Sequence, residues 1–415
     1  MIAHFCESWL RNEDIRKQPE GRLLERYADE ICLAGYAEET ARGHIRAGEH
    51  LIYWADREGT PIRAFDQPLV EKFARHIERC RCPGFEHMRR RSLPHAARLF
   101  LDYLRRSGVL TAAHIEPVTH DPILVVSFCE WMRQQRGTCD DTVKNYCLDL
   151  RELLKKLGED PAKFDARNLR KFVLERSQRH GWSPAKRCTT AVRMFVRFLI
   201  AEGKCSAGLD AAIPTWAHWR CSSLPRYLQS DEVERVIASC APNTHVGVRD
   251  RAILLLLARL ALRAGDIIQL RLGDIDWKEA WICVCGKGRR QTRLPMTQEV
   301  GDALASYISQ ARHPSDTDAL FIRSRAPMRP FQNQNAVSAI VGRAMRRAGV
   351  SSPSRGAAHV LRHSAATSML RHGASLQEIG VILRHRSIAA TEIYAKVDFA
   401  ALQQIAQPWP EVTTC

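Results

Sequence analysis

The chain echoes itself in its first half, and that limits what it can fold into. The run from Glu39 and Thr40 to Phe100, Tyr103 and Gly108 recurs as the run from Asp141 and Thr142 to Phe195, Phe198 and Gly203. The offset is 102 at Thr40/Thr142 and 95 at Phe100/Phe195, so the first copy carries seven extra residues, which the stretch Cys80–His87 accommodates as a loop insertion. Apolar residues recur at helical spacing within each copy, as at Leu148, Leu150, Leu153, Leu154 and Leu157, with Arg and Lys on the other faces. Two similar helical units are therefore predicted. Any one of those charges reads as a solvated helix surface; together they suit a surface that grips phosphates.

Beyond the repeat the pattern changes. Cys205 to Leu224 holds Gly208, Pro214, Trp216, His218 and Trp219 with no sustained period, and reads as a linker. Ser230 is the expected N-cap of a new helix, with Asp231 and Glu232 in its first turn. A very apolar helix is predicted from about Arg249 to Leu262. Ile275–Trp277, Trp281–Cys285 and Gln291–Leu294 read as strands, with Gly286-Lys287-Gly288 in the turn between the last two. Helices follow from about His359 to His372, from the capping box Ser375/Glu378, and after Ser387. The fold class is thus mainly α with a small antiparallel β-sheet in the C-terminal half (α+β).

A chain of 415 residues exceeds what one hydrophobic core usually organises. With 62 Lys+Arg against 46 Asp+Glu the net charge is +16, which favours a polyanionic partner, nucleic acid before anionic membrane. No apolar run approaches a membrane span and the N-terminus does not resemble a secretory signal, so a cytoplasmic location is expected. There the 14 cysteines should be packed or free thiols. Cys80-Arg-Cys82 with His87 resembles a metal cluster but lacks a fourth ligand, and the expectation is no metal and no cofactor.

One ordered set suggests chemistry on a phosphodiester: Arg263, Lys287, His359, Arg362, His385 and Tyr394. Phosphoryl transfer needs a nucleophile, cations on the non-bridging oxygens and a proton for the leaving oxygen. Singly these residues mean little, since His-x-x-Arg also occurs at His76/Arg79, His87/Arg90 and His95/Arg98. On a helix, however, His359 and Arg362 share a face and can hold one phosphate. Only 12 of the 62 basic residues are lysine, and after residue 205 only Lys278, Lys287 and Lys396 remain. A lysine kept at a turn tip in such a chain can give up a proton, which arginine cannot.

The segments around Arg263 (Ala261–Asp276), Lys287 (Gly286–Gly288), Arg362 (His359–Thr367) and Tyr394 (Leu383–Ser387, then Ile393-Tyr394) resemble those of the tyrosine recombinases. The resemblance covers residues 224–400 and all six active-site positions of that family. Residues 121–204 are similar to the SAM-like helical core-binding domain of the same family, which makes the first repeat, 20–112, an additional copy. The expected division is 1–113, 114–212 and 213–415. Two departures stand out: Arg384 where the family usually has Gly before the second histidine, and Asp266 where it has Glu.

The resemblance implies a site-specific recombinase or integrase, active on double-stranded DNA for a mobile element. Tyr394 would attack phosphorus, giving a 3′-phosphotyrosyl link and a free 5′-hydroxyl. Arg263 and Arg362 would clamp the non-bridging oxygens, with His385 adding a hydrogen bond. His359 would contact phosphate and accept the phenol proton, and Lys287 would protonate the leaving oxygen. No Mg²⁺ or ATP is implied. Self-association to a tetramer on DNA and sister recombinases are the implied partners, with the tail from Phe399 to Ala406 docking on a neighbour. A type IB topoisomerase-like enzyme and an inactive DNA-binding descendant are the alternatives.

Overall fold

The computed structural model describes residues 20–85, 92–110, 121–179, 181–215, 224–286, 291–353, 356–385, 387–398 and 402–403. They fall into two compact units. One contains the described residues of Met1–Gly59, Lys72–Tyr103 and Cys221–Cys415, the other those of Thr60–Glu71 and Leu104–Arg220. No helix among the described residues is long and apolar enough to cross a membrane.

The repeat is a structural one. The first copy runs through α1 (Gly21–Leu33), α2 (Glu38–Arg57), a 3₁₀ turn at Ile62–Ala64, α3 (Gln67–Glu78) and α4 (Leu93–Arg106). The second runs through α5 (Ile123–Gln134), α6 (Asp140–Leu157), a 3₁₀ turn at Pro161–Lys163, α7 (Ala166–Arg179) and α8 (Trp182–Ala201). Thr40 and Thr142 each stand third in their helix, and Phe100 and Phe195 are both fully buried. The copies part at the third connection, residues 79–92 in the first and 180–181 in the second. In α1 the buried Leu24, Tyr27, Ala28 and Ile31 form one stripe at i, i+3, i+4, i+7 spacing. In the second copy Phe128 meets Phe195 edge-on at 5.6 Å, and the buried Asp149 is held by Arg176 (3.2 Å) and Arg187 (2.9 Å).

The C-terminal part is built on α10 (His245–Ala258), in which Ala252 to Leu257 are all fully buried. Its hydrophobic residues face every direction because α9 (Ser230–Ala238), α12 (Gln298–Ser306), α13 (Asn335–Arg347) and α14 (Ala357–Arg371) pack around it. Each leucine so buried contributes about 1.5–3 kcal/mol. Between α11 (Ala264–Gln269) and α12 lies an antiparallel sheet in the order β1 (Ile275–Asp276), β2 (Trp281–Cys285), β3 (Gln291–Pro295). Ile282 and Val284 of β2 are buried and paired with Leu294 and Thr292, while Cys285 pairs with Gln291 and so sets the ends of the hairpin. Lys287 lies outside the described residues, as does the tail from Phe399 to Ala406 apart from Leu402 and Gln403.

Two expectations shift locally. Ser230 is the first helical residue rather than the cap, because the Glu232 carboxylate accepts from the backbone N–H of Gln229 at 2.9 Å and closes the box one residue earlier. The apolar helix starts at His245 rather than near Arg249, because the Thr244 hydroxyl caps it, accepting from Gly247 N–H at 3.0 Å. A Cβ at Gly247 would lie 1.9 Å from the carbonyl oxygen of Ala241, so only glycine allows that entry. The capping box Ser375/Glu378 opens α15 (Leu376–Ile382) as expected.

Candidate active site

Three chain segments converge at the C-terminal end of α10. After Ala258 the chain turns through Ala261 (φ +49°) and delivers Arg263 to the N-cap of α11, where the Asp266 carboxylate accepts from its backbone N–H at 2.8 Å. The guanidinium of Arg263 donates to the carbonyls of Leu383 and Arg384, each at 3.0 Å. Arg362, in the middle of α14 and only 4% exposed, donates to the carbonyls of Ala261 and Leu383. The turn after α15 thus aligns both arginines by its backbone oxygens, which are matched to rigid guanidinium donors.

The Leu383–His385 turn also carries one of the departures noted in the sequence, Arg384, and the fold brings it to the other, Asp266 of α11. Arg384 takes the left-handed conformation (φ +52°) that favours glycine. Its guanidinium pairs with the Asp266 carboxylate, and both side chains are under a tenth exposed. The Nε and Nη1 of Arg384 are buried with no hydrogen-bond partner among the described residues. Of the three guanidiniums gathered at this turn, those of Arg263 and Arg362 donate to backbone carbonyls and only that of Arg384 pairs with a carboxylate. Burial, and after it the field of Arg263, holds the Arg362 guanidinium down to about 10. A site so overloaded with positive charge suits an anion that brings its own acceptors.

Tyr394 sits on a 3₁₀ segment, Glu392–Val397, and is buried among Ala261, Ala365, Ala366, Ile379 and Leu383. Its hydroxyl lies 2.7 Å from Nδ1 of His363. Burial pushes the phenol up to about 12 against the opposing pull of Arg362 and Arg263. His363 is pushed down to about 4 by burial and then by His359, Arg362 and His385, so at neutral pH it is uncharged and can accept the phenol proton. His385, also near 4 through burial and the two arginines, is fixed by Thr391, whose Oγ1 is 2.8 Å from its Nδ1. His359 stands one helical turn before His363, the rings 6.3 Å apart, and is lowered by burial and by Arg362 and Arg263.

Of the six residues expected from the sequence, five are gathered here and Lys287 falls outside the described residues. His363 was passed over; the sequence signal was its place directly after the His359/Arg362 pair, on the same helix face as His359.

The model of the phage integrase family matches residues 226–401, and that of the phage integrase N-terminal SAM-like domain matches residues 125–203. A protein named as an integrase/recombinase, y4rA of Sinorhizobium fredii, is 38% identical over 95% of this chain and 97% of its own. The chain belongs to the phage integrase family, the tyrosine recombinases. The tyrosine recombinase XerD of Listeria innocua is 26% identical over 68% of this chain and 96% of its own length. Among solved structures, the XerH recombinase bound to palindromic difH substrate (18% identity, TM-score 0.54, 82% of this chain and 94% of that one) and a lambda integrase dimer on a COC′ core site (16%, 0.52, 70% and 98%) share the fold. This recombinase is accordingly an enzyme of DNA strand breakage and rejoining.

Proposed function

We propose that the chain is a site-specific recombinase or integrase of a mobile element, with Tyr394 as nucleophile. Tyr394 Oη attacks the scissile phosphorus, its proton passing to a neutral imidazole while the bond to the 5′-oxygen breaks. The products are a 3′-phosphotyrosyl link and a free 5′-hydroxyl, and a strand of a second duplex reverses the step. Arg263 and Arg362 neutralise the non-bridging oxygens and His385 donates to them. Lys287 supplies the proton of the leaving oxygen. His363 is the imidazole in contact with the phenol, and His359 completes the phosphate face of α14. The observation that carries this reading is the 2.7 Å contact between the Tyr394 hydroxyl and neutral His363, set beside two buried arginines.

The finer features belong to the same proposal: a tetramer on two DNA duplexes, a cytoplasmic and nucleoid-associated protein, sister recombinases as possible partners, and domains at 1–113, 114–212 and 213–415. The net charge of +16 supports a DNA-bound life. The test is incubation with nicked cognate DNA, in which loss of the short strand traps the covalent adduct. Wild-type protein should form it and Tyr394→Phe should bind the site without forming it. An adduct that survives the substitution refutes the assignment.

A further inference from the structure

Two histidines and two cysteines meet in the first repeat, far along the chain from the recombinase site. His50 comes from α2, His76 from the last turn of α3, and Cys80 and Cys82 from the connection that follows. Their four ligand atoms all lie within 4.8 Å of one another. His50 Nε2 is 3.4 Å from Cys80 Sγ, and His76 Nε2 is 3.3 Å from Cys82 Sγ. A tetrahedral zinc with bonds of about 2.3 Å to sulfur and about 2.0–2.1 Å to nitrogen requires edges of about 3.3–3.8 Å between its ligands. The two measured edges are of that size.

We propose that His50, His76, Cys80 and Cys82 form a structural zinc site of the Cys₂His₂ type. Four details support it beyond proximity. Both rings are oriented by packing before any metal arrives: His50 stacks on Phe85 at 4.3 Å and 11° and meets Phe73 edge-on at 5.0 Å, while His76 stacks on Trp54 at 5.4 Å. The backbone N–H of Cys82 donates to Cys80 Sγ at 3.3 Å, a contact that stabilises a thiolate. Two soft sulfurs and two imidazoles are the donor set that selects zinc over hard cations. Finally, the site lies where the repeat departs from itself, in the connection 79–92 that the second copy replaces with residues 180–181.

That position supplies the reason for a metal. A connection of that length is costly to order by packing alone. Zinc would clip it to α2 and α3 together, and the guanidinium of Arg46, which donates to the carbonyl of Gly84, ties down the same segment. Ordering this loop by coordination leaves Cys80 and Cys82 as metal thiolates rather than free thiols. Of the sequence pattern Cys80-x-Cys82 with His87, His87 lies outside the described residues; folding brings His50, 30 residues before Cys80, and His76 to the two cysteines.

The test uses the full chain purified under reducing conditions from zinc-supplemented culture, with metal measured by mass spectrometry. About one zinc per chain is expected. Cys80→Ser/Cys82→Ser and His50→Ala/His76→Ala should fall to background, while His87→Ala and the distant Cys139→Ser keep the metal. Because the ligand variants can fail to fold, the wild-type chain is also refolded with cobalt(II), whose thiolate charge-transfer band and intense tetrahedral ligand-field bands report the donor set directly. A wild-type chain that takes up neither metal, or ligand variants that retain it in full, would overturn the site.

Discussion

The pairing of Arg384 with Asp266 makes a quantitative demand, since both positions depart from the recombinase pattern and each is buried against the other. Arg384→Gly relieves a left-handed backbone conformation, a gain of about 1 kcal/mol, but strips a buried carboxylate of its cation, a loss of about 3–5 kcal/mol. The net expectation is destabilisation by about 2–4 kcal/mol, softened by the Arg263 N–H that Asp266 still accepts. Asp266→Asn leaves the Arg384 guanidinium buried without a counter-charge and should cost about 3–5 kcal/mol. The double variant removes both charges together, so its cost should fall short of the sum of the singles by at least about 1.5 kcal/mol. Urea unfolding of the four proteins measures the cycle. Since Asp266 fixes the backbone of Arg263, DNA cleavage should fall in both single variants and recover in Arg384→Gly/Asp266→Glu, which restores the family pair. Additivity within about 0.5 kcal/mol would show that the two side chains do not act as a pair, and the reasoning would fail.

Lys287→Ala should slow cleavage by about 10²–10⁴-fold, and a substrate with sulfur at the bridging 5′ position should recover most of that rate; equal defects on both substrates would remove Lys287 from the proton-donor role. His363→Phe should cut cleavage by about 10²–10⁴-fold if this ring receives the phenol proton, and an unchanged rate with a defect in His359→Phe instead would return that role to His359. His363 and His385 titrate near 4 in the folded chain and near 6.5 when unfolded, so the unfolded state takes up protons first. Stability should be unaffected by them above about pH 7, fall from about 6.5 to about 4 and level off below; urea midpoints at pH 7 and 5 should differ less in His363→Phe than in wild type.

Much of the fold was legible in the chain. The repeat, the helical period, the pairing of the strands Trp281–Cys285 and Gln291–Pro295 and the capping box of α15 rest on local signals, decided by residues within a few positions of one another, and here those signals agree with the tertiary fold. Arg263, Lys287, His359, Arg362, His385 and Tyr394 stood out as candidates for a different reason: phosphoryl transfer needs those group types, and few others supply them. Tertiary structure decided what depends on distance in space. It placed His363 rather than His359 against the phenol, because only the turn of α14 and the 3₁₀ segment of Tyr394 set which ring reaches Oη. It paired Arg384 with Asp266 across 118 positions. It also drew His50 and His76 to Cys80 and Cys82, which a search for neighbouring ligands could not do, since a coordination sphere counts ångströms where a sequence counts residues.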